Sequence, residues 1–242
     1  MNLPWSKTLI IIPTFNEALN VKEMIELVYS LYSDVNILIV DDNSPDGTAD
    51  IVKELQSKFC DLSLMVRKDK RGLGSAYLDG FLWAIDHGFD YVFEMDCDFT
   101  HDPKTLATML ELAQVSDVVI GSRYLDGTRI KNWSLFRKLI SYSASSYVKL
   151  VTQIPLTDPT AGLKCFSRAA LEKIDLSRVI STGYIFQLEL NYRAWKKGLV
   201  IKETPITLFD RIHGESKIGP SVYIEGVLNV LKLKIYDLLG RL

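Results

Sequence analysis

Short apolar runs alternate with amphipathic stretches through the first half of the chain. Five of these runs are predicted to form buried strands, at positions 8–13, 36–40, 62–66, 90–95 and 117–121. Between them, apolar residues recur every three or four positions, which is the period of a helix with one buried face. Continuously apolar strands that alternate with helices predict an α/β fold, with a mostly parallel sheet covered by helices on both faces.

The second half of the chain has a less regular pattern. It predicts a polar-faced helix at 134–152, a short strand at 163–167, a helix at 184–197 and a strand-like run at 199–209. Beyond position 220, apolar residues share one helical face, but charged residues interrupt it, so this helix is too polar to cross a bilayer. It either packs on the core or lies on a membrane surface. We predict one domain over residues 1–220 and an amphipathic helix over 221–242.

Acidic residues follow two of the predicted strands. Asp42 follows the run at 36–40, and Asp96 and Asp98 follow the run at 90–95. Ligands of parallel sheets bind outside the carboxyl ends of the strands, so both acidic clusters are expected at one edge. Two carboxylates one residue apart repel each other unless a cation lies beside them, and oxygen ligands select Mg²⁺ or Mn²⁺. The pair predicts a metal-bound diphosphate; the alternative is an acidic turn that leads into a helix capped by Asp102.

Two further features have both a functional and an ordinary interpretation. Asp42 either binds a ribose hydroxyl or base edge, or belongs to a solvated turn. A set of cationic residues also follows apolar runs: Arg123, Arg137, Lys138, Arg211 and Lys217. Each alone is compatible with ordinary surface charge. Together they predict a rim that receives anions opposite the acidic pair, because guanidinium groups match phosphate oxygens.

Composition and the absence of two familiar phosphate-binding motifs make several classes of function poor fits. The chain has 242 residues and a formal net charge of −2, without the basic excess that nucleic-acid binding requires. Three scattered cysteines predict reduced thiols, and we expect neither a secretion signal nor a membrane-spanning helix. Tyr77 stands where the third glycine of GxGxxG would lie, and no GxxxxGK occurs. Dinucleotide dehydrogenases and P-loop enzymes are therefore poor fits.

Eight motifs in order resemble an inverting glycosyltransferase of family 2 with the GT-A (Rossmann-like) fold. More narrowly, they resemble dolichyl-phosphate (polyprenyl-phosphate) mannosyltransferases. The motifs are PTFNE (13–17), VDDNSPDGT (40–48), GLGSAYLDG (72–80), MDCDFTHDP (95–103), GSRY (121–124), TDPTAGLKCF (157–166), GYIFQLEL (183–190) and DRIHGESKIG (210–219). One difference concerns Thr100, which stands where some relatives have glutamine and is a weaker metal ligand.

The resemblance implies a role for each matching residue. Nucleoside contacts would come from Pro13, Phe15, Glu17, Val40 and Asp42. The nucleotide-sugar diphosphate would be held by Asp96, Cys97 and Asp98, with Mg²⁺ or Mn²⁺ on Asp98 and on Asp96 or Thr100. A loop with Arg211 and Lys217 would close over the diphosphate. The lipid phosphate would be received by Arg123, Arg137 and Ser141. The residues implied in catalysis itself are Asp96, Asp98, Arg123 and Lys217.

The reaction implied by the resemblance is transfer of mannose from GDP-mannose to a polyprenyl (dolichyl) phosphate, with inversion. The acceptor phosphate has a second pKa of about 6, so it is already an anion at neutral pH and no general base is required. The protein would work at the cytoplasmic face of a membrane, and a small membrane-anchoring subunit is left open. Three alternatives also stay open: transfer from UDP-glucose or UDP-N-acetylglucosamine, a non-catalytic nucleotide-binding subunit, and a nucleotidyltransferase.

Overall fold

The computed structural model describes residues 3–69, 72–181, 183, 185–211 and 220–240. Within these residues seven strands form one sheet, in the order β3-β2-β1-β4-β6-β5-β7. The strands are β1 (Thr8–Thr14), β2 (Asn36–Asp41), β3 (Leu62–Val66), β4 (Tyr91–Glu94), β5 (Val118–Ser122), β6 (Lys164–Ser167) and β7 (Ile201–Pro205). Every predicted apolar run contains a strand, and the largest difference concerns β7, which covers only the middle of the run predicted at 199–209.

The sheet is mostly parallel, as predicted, and β6 is the exception. It pairs antiparallel with both β4 and β5, whereas the other paired strands run parallel. The chain leaves β5 at the carboxyl edge of the parallel strands and enters β6 from that same edge. The strand β6 therefore runs in the direction opposite to its neighbours β4 and β5. One consequence is that Lys164 lies directly opposite Glu94 in the register.

Helices cover both faces of the sheet. They are α1 (Val21–Leu31), α2 (Thr48–Gln56), α3 (Leu73–Asp86), α4 (Leu106–Ala113), α5 (Leu135–Thr152), α6 (Arg168–Ile174), α7 (Ile185–Lys196) and α8 (Pro220–Leu238). Side chains alternate along each strand, so Ile10 and Ile12 pack with α1 and α4, while Leu9 and Ile11 pack with α3 and α7. These two cores confirm the α/β class.

Asp102 and Asn20 both precede helical segments, but only Asp102 caps a backbone N–H. Asp102 accepts a hydrogen bond from the backbone N–H of Lys104 (3.0 Å), as expected of a residue that starts a helical turn. Asn20 precedes α1, but its side chain donates to Glu17 Oε2 (2.7 Å) and caps no backbone N–H. The seven residues of α6 were not predicted, because so short a helix shows fewer than two turns of periodicity.

The last helix, α8, packs against α5 and α7. Val230 and Leu233 are buried in the core on the α3 and α7 side of the sheet. The hydroxyl of Tyr147 donates to the carbonyl of Val227 (3.1 Å), and the hydroxyl of Tyr192 donates to Asp237 (2.7 Å). Among the described helices, none is both long enough and apolar enough to cross a bilayer.

Candidate active site

A cavity of about 980 Å³ lies at the carboxyl edge of the sheet, between the end of β4 and helices α5, α7 and α8. It brings together seven of the residues that the sequence predicts for the site. They are Asp96, Asp98, Thr100, Arg123, Arg137, Ser141 and Arg211. His101 also lines the cavity; it is buried, and its Nδ1 has no hydrogen-bond partner in the described part of the protein. Lys217 and His213 lie outside the described residues.

Asp96 lies at the edge of the cavity and has a perturbed pKa. Burial, and then the negative charge of Asp98, raise the pKa of its carboxyl. The hydroxyl of Tyr77, itself fully buried, donates to Asp96 Oδ1 over 3.4 Å. The partly exposed carboxylate of Asp96 and the buried carboxylate of Asp98 beside it bring two negative charges together, which a cation would offset.

Asp98 is held in place from two sides. Its Oδ1 accepts hydrogen bonds from the backbone N–H and from the hydroxyl of Thr100, at 3.1 and 2.7 Å. Its Oδ2 lies 2.8 Å from Nε of Arg211. Phe99 lies between these residues at φ +60°, a left-handed conformation that turns the chain and lets Thr100 bond back to Asp98.

The donor set suits a hard divalent cation. The structure places no group of three or more His, Cys, Asp or Glu side chains around a common ion among the described residues. Mg²⁺ does not need such a group, because it commonly binds through one or two carboxylates together with substrate phosphates. The carboxylates of Asp96 and Asp98 and the hydroxyl oxygen of Thr100 are therefore chemically suited to Mg²⁺ or Mn²⁺.

Arg123 makes a buried, two-pronged ion pair with Asp158. Its Nε donates to Oδ2 and its Nη2 to Oδ1, both at 2.6 Å, and Nη2 also donates to the hydroxyl of Thr160 (2.7 Å). Burial alone would raise the pKa of Asp158, but the Arg123 charge and hydrogen bonds outweigh it, and the pKa is lowered. Nη1 makes no hydrogen bond within the described residues, so it is the part of Arg123 available to a ligand.

The other two residues predicted to receive a lipid phosphate lie on α5. The guanidinium of Arg137 lies 3.8 Å from the centre of the Trp133 ring and 2.9 Å from Asp210. Ser141 Oγ accepts a hydrogen bond from the hydroxyl of Tyr124 (2.8 Å). Both side chains are partly exposed and line the same cavity as Asp96.

The residues predicted to bind a nucleoside lie at the ends of β1 and β2, outside the lining of this cavity. Pro13, Phe15 and Glu17 are partly exposed there. The side chain of Val40 is fully buried in the core, and Cys97 also packs in the core. Any contact of Val40 or Cys97 with a ligand would therefore come from the main chain.

Arg67 is a partner of the predicted site residue Asp42 that the sequence did not reveal. It follows β3 and is buried, with Nε and Nη2 donating to Asp42 Oδ1 and Nη1 donating to the hydroxyl of Ser75 (2.7 Å). Asp42 thus belongs to a buried ion pair and not to a solvated turn. A cation at the end of a strand beside an acidic cluster is the pattern that would have indicated Arg67.

A buried polar layer lies beside the cavity and was also missed. Glu94 and Lys164 are both fully buried, with Lys164 Nζ 3.2 Å from Glu94 Oε2. Nζ also donates to the carbonyl of Gln187 (3.2 Å) and to its side-chain oxygen. Burial raises the pKa of Glu94 to about 7, against the opposing effect of the Lys164 charge. Gln187 lies in the GYIFQLEL motif and lines the cavity.

Comparison with protein families decides the class. The sequence profile of Glycosyl transferase family 2 matches residues 9–175. The chain belongs to this family. This glycosyltransferase is 40% identical over 240 residues to a polyprenol monophosphomannose synthase from Mycolicibacterium smegmatis, which covers 98% of this chain and 91% of the relative. It is 37% identical over 226 residues to an undecaprenyl-phosphate mannosyltransferase from Micrococcus luteus, with 93% of each chain covered.

Solved structures with the same fold are more distant in sequence. A mannosyltransferase from Pyrobaculum calidifontis, in complex with GDP-Man and Mn²⁺, matches with a TM-score of 0.60 and 18% identity, over 97% of this chain and 64% of that chain. A glucosyl-3-phosphoglycerate synthase from Mycobacterium tuberculosis, in complex with Mn²⁺, UDP and phosphoglyceric acid, matches with a TM-score of 0.65 and 14% identity, over 95% and 77%. These neighbours establish the fold of the glycosyltransferase, and the resemblance of its eight motifs to family 2 is confirmed.

Proposed function

We propose that this glycosyltransferase transfers mannose from GDP-mannose to a polyprenyl (dolichyl) phosphate, with inversion, and releases GDP. The observation that carries the proposal is the composition of one cavity. An acidic pair suited to a metal-bound diphosphate lies at the sheet edge, and the α5 residues Arg137 and Ser141 line the same cavity. The names of the two curated relatives described above support a lipid-phosphate acceptor and mannose transfer.

On the donor side, the acidic pair and Arg211 would hold the diphosphate. Mg²⁺ or Mn²⁺ on Asp96, Asp98 and Thr100 would offset the charge that develops on the leaving GDP. Arg211 contacts Asp98 in this structure and can bond to a phosphate oxygen at the same place. Lys217, in the same motif, is proposed to add a second cation. The nucleoside would lie toward Asp42, whose carboxylate is fixed by Arg67.

On the acceptor side, the phosphate itself is the nucleophile. One of its oxygens bonds to C1 of mannose as the bond between C1 and the GDP oxygen breaks, and GDP leaves with the electron pair. The phosphate is mostly ionised at neutral pH, so no side chain needs to remove a proton. Arg137, with Nη1 of Arg123, would offset the repulsion between this phosphate and the diphosphate. Each acts by binding and orienting the acceptor.

We also propose contact with a membrane surface, which the outer faces of α5 and α8 support. The prediction of a polar-faced α5 is wrong in this respect, because large apolar side chains are exposed along it: Leu135, Phe136, Leu139, Tyr142 and Leu150. On α8 the exposed apolar residues are Val227, Leu228, Leu231, Ile235 and Leu238. Exposed apolar side chains on two packed helices that both line the cavity are suited to the interface of a bilayer.

We expect the double variant Leu135→Glu and Phe136→Glu to bind phospholipid vesicles at least about tenfold more weakly than the parent protein. Two carboxylates would replace two large exposed apolar groups, each worth about 1.5–3 kcal/mol when removed from water. Co-sedimentation with vesicles measures the effect. Val115→Glu, which also replaces an exposed apolar residue but lies after α4, is the matched control. Equal binding by the double variant and the control would contradict a membrane role for α5.

The proposed reaction is tested with purified protein and a panel of labelled nucleotide sugars. GDP-mannose, UDP-glucose and UDP-N-acetylglucosamine are each offered with polyprenyl and dolichyl phosphates, with Mg²⁺, Mn²⁺ or EDTA. We expect a lipid-phosphate mannose product from GDP-mannose, dependent on the metal. Product from a UDP-sugar instead would assign another donor. Binding of GDP without product from any pair would favour a non-catalytic nucleotide-binding subunit.

A further inference from the structure

The buried polar layer beside the cavity fixes the orientation of one cavity-lining side chain, Gln187. Lys164 reaches Gln187 from β6 through its Nζ, which is fully buried and lies between Glu94 and α7. An ammonium group has three donors and no acceptor, so the carboxamide end that faces it must be the oxygen. The amide nitrogen of Gln187 therefore points away from Lys164.

The amide nitrogen has two hydrogens, and at most one of them faces an acceptor among the described residues. The amide lies near enough to Glu94 to oppose the rise that burial causes in the pKa of that carboxyl, but Glu94 Oε1 has no hydrogen-bond partner in the described part of the protein. Within the described residues, no other acceptor receives a hydrogen bond from this amide. Gln187 is 5% exposed, and it lines the same cavity as Asp96 and Thr160. A donor held in a fixed direction at a cavity wall is suited to binding a ligand oxygen.

The surrounding charges indicate which part of a substrate this oxygen belongs to. Groups that would meet phosphates in this cavity are cationic: Arg123, Arg137 and Arg211. Gln187 is neutral and lies on a different wall, contributed by α7. A neutral amide donor matches a hydroxyl or ring oxygen, which carries no net charge. In a nucleotide sugar, neutral oxygens occur in the base, the ribose and the transferred sugar. The residues predicted to contact the nucleoside lie outside the lining of this cavity, so the transferred sugar is the part that would reach Gln187.

We propose that Gln187 donates a hydrogen bond to an oxygen of the donor sugar, with Lys164 and Glu94 as positioning residues that fix its amide. This inference rests on the proposed function and deepens it, because it assigns a residue that distinguishes the sugar nucleotide from the nucleotide alone.

Isothermal titration calorimetry with GDP-mannose and with GDP, each with Mn²⁺, tests the proposal. We expect Gln187→Ala and Gln187→Glu to bind GDP-mannose about tenfold more weakly, which corresponds to ~1.4 kcal/mol, the size of one hydrogen bond. GDP should bind as it does to the parent protein, and this result also shows that each variant is folded. Gln187→Glu keeps an oxygen facing Lys164 and removes the donor. Gln114→Glu, an exposed position after α4, makes the same chemical change elsewhere.

The two ligands separate the possible outcomes. Loss of GDP-mannose binding alone supports the sugar contact. Equal loss of both ligands, or no loss of either, overturns it, as does a raised KM for the lipid phosphate with unchanged donor binding. If the parent protein prefers another nucleotide sugar, the proposed donor is wrong. The same comparison of that nucleotide sugar with its nucleotide then tests Gln187 independently.

Discussion

Replacing Asp98 by asparagine is expected to lower the rate of sugar transfer by about a hundredfold to a thousandfold. Asp98 is one of two carboxylates suited to the divalent ion, and it is almost fully buried. Asparagine has nearly the same shape, and its carbonyl oxygen can still accept from Thr100, so the turn through Phe99 should persist. The variant loses the charge that would draw the metal and the diphosphate to this edge.

Two measurements separate loss of the metal site from loss of the fold. Calorimetry should show that Mn²⁺ no longer strengthens GDP binding by Asp98→Asn, while thermal unfolding of the free protein changes little. Asp86→Asn, at an exposed position at the end of α3, is the control and should transfer sugar at the parent rate. Metal-dependent GDP binding that survives in Asp98→Asn would remove Asp98 from the metal site.

Much of the fold is visible in the sequence because burial leaves a direct pattern. The run TLIIIP is apolar at each position except its first residue, and β1 is buried on both faces as a result. The direction of the parallel strands alone predicted that Asp42 and Asp96 lie at the same edge of the sheet. The antiparallel direction of β6 could not be predicted, because a four-residue strand has the same apolar character whichever way it runs.

The parts of the candidate site that were missed are contacts between distant positions. Arg67 pairs with Asp42, 25 residues away, and Lys164 reaches Glu94 across 70 residues. A lysine or arginine is usually exposed, so a cation in the sequence does not by itself reveal a buried partner that lies far away along the chain. The motif GYIFQLEL marked the region of Gln187, but only the structure shows that Lys164 holds its side-chain oxygen.

Arg123 shows how a role inferred from resemblance changes once the structure is known. The sequence assigns it to the acceptor phosphate, yet in the structure Nε and Nη2 are occupied by Asp158 and Thr160. Loss of activity in Arg123→Ala would therefore be ambiguous, since a folding defect and loss of phosphate binding lower turnover alike. The experiment must separate them.

We expect Arg123→Ala to lower the free energy of unfolding by about 3–5 kcal/mol at neutral pH, because it leaves the fully buried carboxylate of Asp158 unpaired. The lowered pKa of Asp158 sets the pH range of this effect. A carboxyl with a depressed pKa contributes stability above its unfolded pKa and loses it as pH falls through its folded pKa. The difference between parent and variant in denaturant unfolding should therefore be full at pH 7 and shrink toward strongly acidic pH.

The double variant Arg123→Ala and Asp158→Asn separates the two roles of Arg123. It removes the buried charge together with its partner, so much of the lost stability should return. If Nη1 of Arg123 also binds the acceptor, the KM for polyprenyl phosphate should stay raised in this restored protein, while GDP binding is normal. Arg123→Lys should also raise the KM for polyprenyl phosphate, because an ammonium cannot bond to Asp158 through two nitrogens and still reach a phosphate. Full recovery of transfer in the double variant would show that Arg123 serves the fold alone, and the acceptor phosphate would then depend on Arg137 and Ser141.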